Sequence, residues 1–172
     1  MGVENEALVR TVKALLEAEL PAALDAVEAE WAAIEAVTLP DPVSYFIGHK
    51  PTVLEEPSTS FPFISVIVPN RAPVEGSEWS FQKVAYDVLI DYFVVAADEA
   101  TVNLITMRYA QAIVNMLQAH SIIGGYAQED YEPAVELTFT ASRQLTGGET
   151  GDAFNASDVD YIQMGRIVVK LS

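Results

Sequence analysis

Residues 82–96 constrain the fold more than any other stretch of this chain. Val84, Tyr86, Val88, Ile90, Tyr92 and Val94 alternate with Ala85, Asp87, Leu89, Asp91, Phe93 and Val95. Successive side chains of a strand point to opposite faces, so the even positions make a wholly apolar face that must pack against a second layer. The odd face mixes two aspartates with apolar residues and is predicted to be partly covered. The strand runs into Asp98-Glu99, an N-cap residue followed by an acid suited to the positive end of a helix dipole. Val102, Ile105, Tyr109, Ile113, Met116 and Leu117 then recur at helical spacing, which predicts a buried stripe on a helix over 99–118. Gly124-Gly125 marks a break.

The other segments are arranged around this unit. In the first 36 residues Leu8, Val12, Leu15 and Glu19 form one helical stripe, and Leu20, Leu24, Val27, Trp31 and Ile34 form another. Pro21 lies between them and predicts either two helices or one helix kinked there. Five prolines punctuate 38–62, leaving short candidate strands at 43–47 and 51–55 that proline confines to edges or ends. Residues 63–68 read as a strand stopped by Pro69-Asn70, and 70–80 as an acidic loop. In 133–144, Val135, Leu137, Phe139 and Ala141 are predicted to face inward and Glu136, Thr138, Thr140 and Ser142 outward. Residues 146–157 read as a long loop and 161–171 as the last strand. The predicted fold is α+β and two-layer, a mostly antiparallel sheet with N-terminal helices and one central helix packed on it. No linker divides the chain, so 1–172 is expected to be one domain, with a helical segment 1–36 and a sheet-and-helix body 43–172.

Composition excludes several functions. The 172 residues contain no cysteine, which removes disulfides, thiolate metal sites and thiol nucleophiles. With 25 acids against 9 bases the formal charge is −16, which disfavours gripping nucleic acid through its phosphates or binding an anionic membrane. Half of the residues are apolar, so this is a folded chain and not an acidic disordered tail. No apolar run reaches the roughly 18 residues of a membrane-spanning helix, and the start lacks a signal-peptide pattern, so cytoplasmic synthesis is expected.

Catalytic, cofactor and metal sites are all expected to be absent. Asp87 and Asp91, four apart on one strand face, have Cα atoms roughly 13 Å apart, too far to share a proton or one metal. They suit a solvated face or a subunit interface. The acids of 149–160 match no calcium-loop pattern, and neither Gly-Gly pair opens a phosphate loop. His49 and His120 are 71 positions apart and no motif ties either to a nucleophile. Trp79, Phe81 and Phe154 stand on loops or at a strand start, where no core stripe accounts for them, and are candidate subunit or partner contacts.

The strand Tyr86–Tyr92, its passage through Ala97-Asp98-Glu99 into a helix, and that helix's Arg108 and Ile113-Val114-Asn115-Met116-Leu117 resemble the tail terminator (tail completion) proteins of long-tailed bacteriophages. In that family a leading helix precedes a sheet, a long strand feeds a central helix, and a final hairpin closes the domain. Here that hairpin would be 133–144 with 161–171. The resemblance implies a structural virion protein without enzymatic activity. It would form a homo-hexameric ring at the head-proximal end of the tail, assembled in the host cytoplasm. Its partners would be the tail tube protein and the head connector or neck proteins. DNA would pass through the lumen without specific binding, and no membrane would be involved. Glu55, Glu56, Glu75, Glu78, Glu149 and Asp152 are then candidates for an acidic lumen that repels phosphate. The helical segment before Pro40 and the proline-rich stretch are longer than the family leads one to expect, which keeps head–tail connectors and stoppers as an alternative. A small-molecule-binding domain or enzyme would instead gather Asp87, Asp91, Glu136 and His49 in one deep pocket.

Overall fold

The structure is a computed structural model that describes residues 3–49, 53–73, 84–129, 134–144 and 159–172. The fold is α+β, as predicted. Helix α1 (Val3–Trp31) leads into strand β1 (Ser44–Ile47), two 3-10 turns (Val53–Glu55 and Ser58–Ser60), β2 (Phe63–Pro73) and β3 (Val84–Ala96). Helix α2 (Glu99–Gln118), a small hairpin of β4 (Ile122–Ile123) and β5 (Tyr126–Ala127), and strands β6 (Ala134–Gln144) and β7 (Val159–Leu171) follow. The main sheet has the order β1-β2-β3-β7-β6. All its pairings are antiparallel except β1 with β2, which is parallel.

The apolar even face of β3 carries the core. Tyr86, Val88, Ile90, Tyr92 and Val94 are buried with Ile64 and Val66 of β2 and Ile167, Val169 and Leu171 of β7. Both helices lie on this face. The predicted α2 stripe is buried in full, and the Asp98 side chain accepts from the Thr101 amide at 2.8 Å as the N-cap. Hydrogen bonds from Thr101 hold the exposed Asp98 carboxyl below the usual range.

Helix α1 runs unbroken through Pro21, so the two-helix alternative does not hold. Proline removes one backbone bond and crowds the preceding turn, at about 3 kcal/mol in a helix interior. Here Leu16, Leu20, Leu24 and Val27 are buried on both sides of it, and tertiary packing holds the helix together. The stripe ends at Trp31. The chain leaves the helix in a turn in which Ile34 and Glu35 amides both donate to the Trp31 carbonyl, and Ile34 stands 75% exposed instead of continuing the buried face.

The opposite face is partly covered, as the mixed odd positions suggested. Phe63 stacks on Phe93 at 4.5 Å and meets Phe46 edge-on at 5.8 Å, with Phe61 and Ile162 beside them. Three expectations change. Residues 53–55 form a 3-10 turn, with no sheet partner, instead of a strand. Strand β2 continues past Pro69 to Pro73 where a loop was predicted. Its register shifts between Ile67 and Asn70, and this irregularity accommodates the proline, which has no amide to donate. The β6 register also shifts between Leu137 and Phe139. Val135 therefore lies beside Ile167 on the helix-covered face and Ala141 beside Ile162 on the other, so the predicted single inward set is split. Val135 remains 46% exposed because the helix layer ends short of this edge strand.

Gly124 and Gly125 have φ of +61° and +87°, matching the two-residue hairpin turn that needs positive φ at both positions. The hairpin is tied to the main sheet by Ala127 and Ser172, whose amides and carbonyls bond reciprocally at 2.9 and 3.0 Å. Gln128 donates to the carbonyls of Leu117 (2.6 Å) and His120, closing the C-terminal end of α2 where no cation stands.

Candidate functional site

The end of α1 and the middle of α2 enclose a mostly apolar groove of about 190 Å³. Its walls are Trp31, Ile34, Glu35, Leu104, Met107, Arg108 and Gln111. Helical spacing explains the α2 side. Leu104, Met107, Arg108 and Gln111 follow at i, i+3, i+4 and i+7, a second stripe beside the core-facing one. Met107 is 60% exposed. Trp31 is held by its Nε1, which donates to Gln111 Oε1 at 2.9 Å, while Gln111 Nε2 donates to Glu30 at 3.2 Å.

Arg108 is the unusual wall residue. It is only 5% exposed, and arginine is rarely buried unless its charge is paired. Its Nη2 donates to the Glu35 carbonyl at 2.8 Å and its guanidinium lies 5.7 Å from the centre of the Trp31 ring. Its Nη1 is buried and has no acceptor. The turn after α1 therefore both creates the groove and supplies the one carbonyl that holds Arg108.

A second polar feature crosses the far face of the sheet. Arg166 on β7 grips Asp91 on β3 through Nε–Oδ1 (2.6 Å) and Nη2–Oδ2 (2.8 Å). Glu136 is the β6 register partner of Arg166. Asp91 is 2% exposed, so it is neither solvated nor at a free surface, which corrects the sequence expectation. The hydrogen bonds to Asp91, with the Asp91 and Glu136 charges, push the Arg166 pKa up.

The carboxylates of the enzyme alternative do not meet in one pocket. Asp91 is paired in the sheet, Glu136 is exposed on the edge strand, Asp87 lies opposite Lys170 in register, and His49 is exposed. None of them lines the groove. His120 follows the α2 C-cap, and its Nε2 is 2.7 Å from Glu19 Oε2, which ties the two helices. No group of three or more metal-ligating side chains occurs among the described residues. Of the predicted contact and lumen residues, Glu55 ends a 3-10 turn and is exposed, and Glu56 beside it is half-buried. Glu75, Glu78, Trp79, Phe81, Glu149, Asp152 and Phe154 lie outside the described residues. The groove was missed because its signal, Arg108 amid Leu104 and Met107, reads as an ordinary exposed helix face until Trp31 and Glu35 are brought against it.

Three tyrosines sit between the sheet and the helices. Tyr92 stacks on Tyr109 at 5.9 Å, and the Tyr109 hydroxyl donates to the Pro40 carbonyl. Burial raises the pKa of both well above the ordinary tyrosine value, and Tyr45 and Asp41 add to the rise at Tyr109. Burial, then Asp41 and Glu17, push Tyr45 up to about 12. A phenol that ionises later in the folded chain than in the unfolded one contributes its full stability below the unfolded pKa of about 10 and loses it as pH rises beyond. Stability is therefore expected to fall by about 2 kcal/mol between pH 10 and 11, about 1 kcal/mol from each of Tyr92 and Tyr109. Urea unfolding followed by circular dichroism across that range, with tyrosinate absorbance as the ionisation readout, measures it. A flat profile would contradict it.

No protein-family model matches the chain. No curated protein matches it either. Among solved structures, a chain of the "virion of native gene transfer agent (GTA) particle" aligns at 14% identity over 90% of this chain and 94% of that one, with a TM-score of 0.29. Among the described residues no helix is long and apolar enough to cross a membrane.

Proposed function

We propose that this chain is a non-enzymatic structural protein of a tailed, phage-like virion. It assembles as a homo-hexameric ring at the head-proximal end of the tail, ends tail tube polymerisation and joins tail to head. DNA passes through the ring without specific contacts. The observation that supports this reading is the order of elements: a leading helix, a long β3 feeding the central α2, and a closing β6–β7 hairpin. That is the order on which the resemblance to tail terminators rests. The outer edges of β1 and β6 have no further strand partner among the described residues, and such edges suit pairing between subunits.

One observation favours the connector or stopper alternative. The 29-residue α1 and the proline-rich stretch after it are long for a terminator. Native mass spectrometry and negative-stain microscopy separate the readings. Six-fold rings that cap purified tail tubes are expected. Binding to the portal complex and not to tubes would transfer the assignment to a connector, and a strict monomer that binds neither would refute both.

A further inference from the structure

From Ala14 to Pro40 the chain has six acids, Glu17, Glu19, Asp25, Glu28, Glu30 and Glu35, and no lysine or arginine. Helix α2 adds one acid, Glu99, and one base, Arg108. That base is 5% exposed, and its guanidinium is engaged by the Glu35 carbonyl and the Trp31 ring. The exposed charge around the groove between the helices is therefore negative. Glu35 is part of its wall, and Glu30 stands beside it, accepting from Gln111 Nε2 at 3.2 Å. Both residues are exposed, and neither carboxylate has a cationic side chain against it among the described residues. In the same groove Ile34 and Met107 are 75% and 60% exposed. Exposed apolar side chains rimmed by polar groups mark an interaction site. The volume of about 190 Å³ lies below the roughly 300–1,000 Å³ of small-molecule pockets, and suits one large aliphatic side chain.

We propose that this groove docks a short basic segment of another polypeptide. One large aliphatic side chain of that segment is seated on Trp31, Ile34 and Met107, and a lysine or arginine on each side of it reaches Glu30 and Glu35. Charge complementarity selects this occupant. The acidic rim and the net −16 of the chain draw in a cationic segment and repel an acidic one. The aliphatic anchor supplies the affinity, by covering apolar surface that now faces water. A second copy of this chain does not fit the description. Its bases come closest together at Arg10 with Lys13 and at Arg166 with Lys170, and three of these four are already paired, with Glu6, Glu17 and Asp91. The inference goes beyond the ring reading and is tested on the isolated chain, so either can fail alone.

Trp31 reports the site directly. With Trp79→Phe it becomes the only tryptophan of the chain. Titrating that protein with acetylated, amidated Ser-Lys-Leu-Arg-Ser should give a saturable change in Trp31 emission. The peptide with Ser for Leu should bind at least tenfold more weakly, because charge alone leaves the apolar walls uncovered. Glu30→Gln with Glu35→Gln should also weaken binding at least tenfold. Glu55→Gln with Glu136→Gln, which removes as much charge at exposed positions outside the groove, should leave affinity within twofold. Met107→Lys, at an exposed position, should abolish binding while the far-UV spectrum and melting temperature stay unchanged. No saturable change, equal affinity for both peptides, equal losses from the two double variants, or a Trp31 shift that follows protein concentration without peptide (a second copy in the groove) would overturn the proposal.

Discussion

Replacing Gly165 with alanine is expected to remove about 3 kcal/mol or more of folding stability, at or beyond the upper end of the usual cost of overpacking a core. Gly165 lies in β7 directly opposite Tyr92 of β3. A Cβ there would stand 2.0 Å from the Tyr92 hydroxyl oxygen, 2.1 Å from Cζ and 2.6 Å from Cε1. The ring has nowhere to go. It is fully buried, stacks on Tyr109, and donates from its hydroxyl to the Thr106 carbonyl at 3.1 Å. The glycine is thus the floor on which a strand-to-helix contact is built. Chemical denaturation of Gly165→Ala checks the magnitude. In a Tyr92→Leu background the same substitution should cost at least 1 kcal/mol less, because the shorter side chain vacates the space. A Gly165→Ala protein within 1 kcal/mol of the parent would show that β7 can shift to admit the methyl group.

Arg166→Ala is expected to cost about 3 kcal/mol, and Asp91→Ala distinctly less, in the range of about 1–2 kcal/mol. The asymmetry follows from where each charge is left. Without Arg166, the Asp91 carboxylate stays 2% exposed between β2 and β7 with its main partner gone. Without Asp91, the Arg166 side chain is already a quarter exposed and can turn to water, with Glu136 across the strand. The raised pKa of Arg166 keeps it charged throughout the range in which the protein is handled, so the contrast should not depend on pH near neutrality. Paired urea titrations of the two variants decide it, and an equal or reversed order would rule out the burial argument.

The parts of this fold that could be read in advance are those whose partner is simply the core. The alternation of Val84–Val95 and the stripe from Val102 to Leu117 require only an apolar layer opposite, and Asp98 caps its own helix. What stayed hidden depends on distant residues or on backbone irregularity. Nothing local ties Asp91 to Arg166, 75 positions away, or shows that Gly165 must make room for Tyr92. Proline alone does not say whether a helix breaks at Pro21, where packing on both sides keeps it continuous, nor that a strand continues past Pro69, where a local register shift absorbs it. The split of Val135 from Ala141 follows from one extra residue in β6, which no alternation rule anticipates. The groove depends on a turn after Trp31 that returns Glu35 to α2, and Ile34 looked like one more core residue. A loop acid or loop aromatic has no periodicity that places it in the fold.

The strand order has a consequence for how the chain reaches this state. The latest strand in sequence, β7, sits between β3 and β6, which have no ladder with each other. Neither neighbour can be completed early. Until β7 arrives, β3 and β6 each present a row of unpaired amides and carbonyls, and closure joins positions separated by the whole of α2 and the small hairpin. Such non-local closure is entropically late and slow. A partly folded chain in which β7 has not yet arrived leaves those two edges uncovered, open to a chaperone or a neighbouring copy.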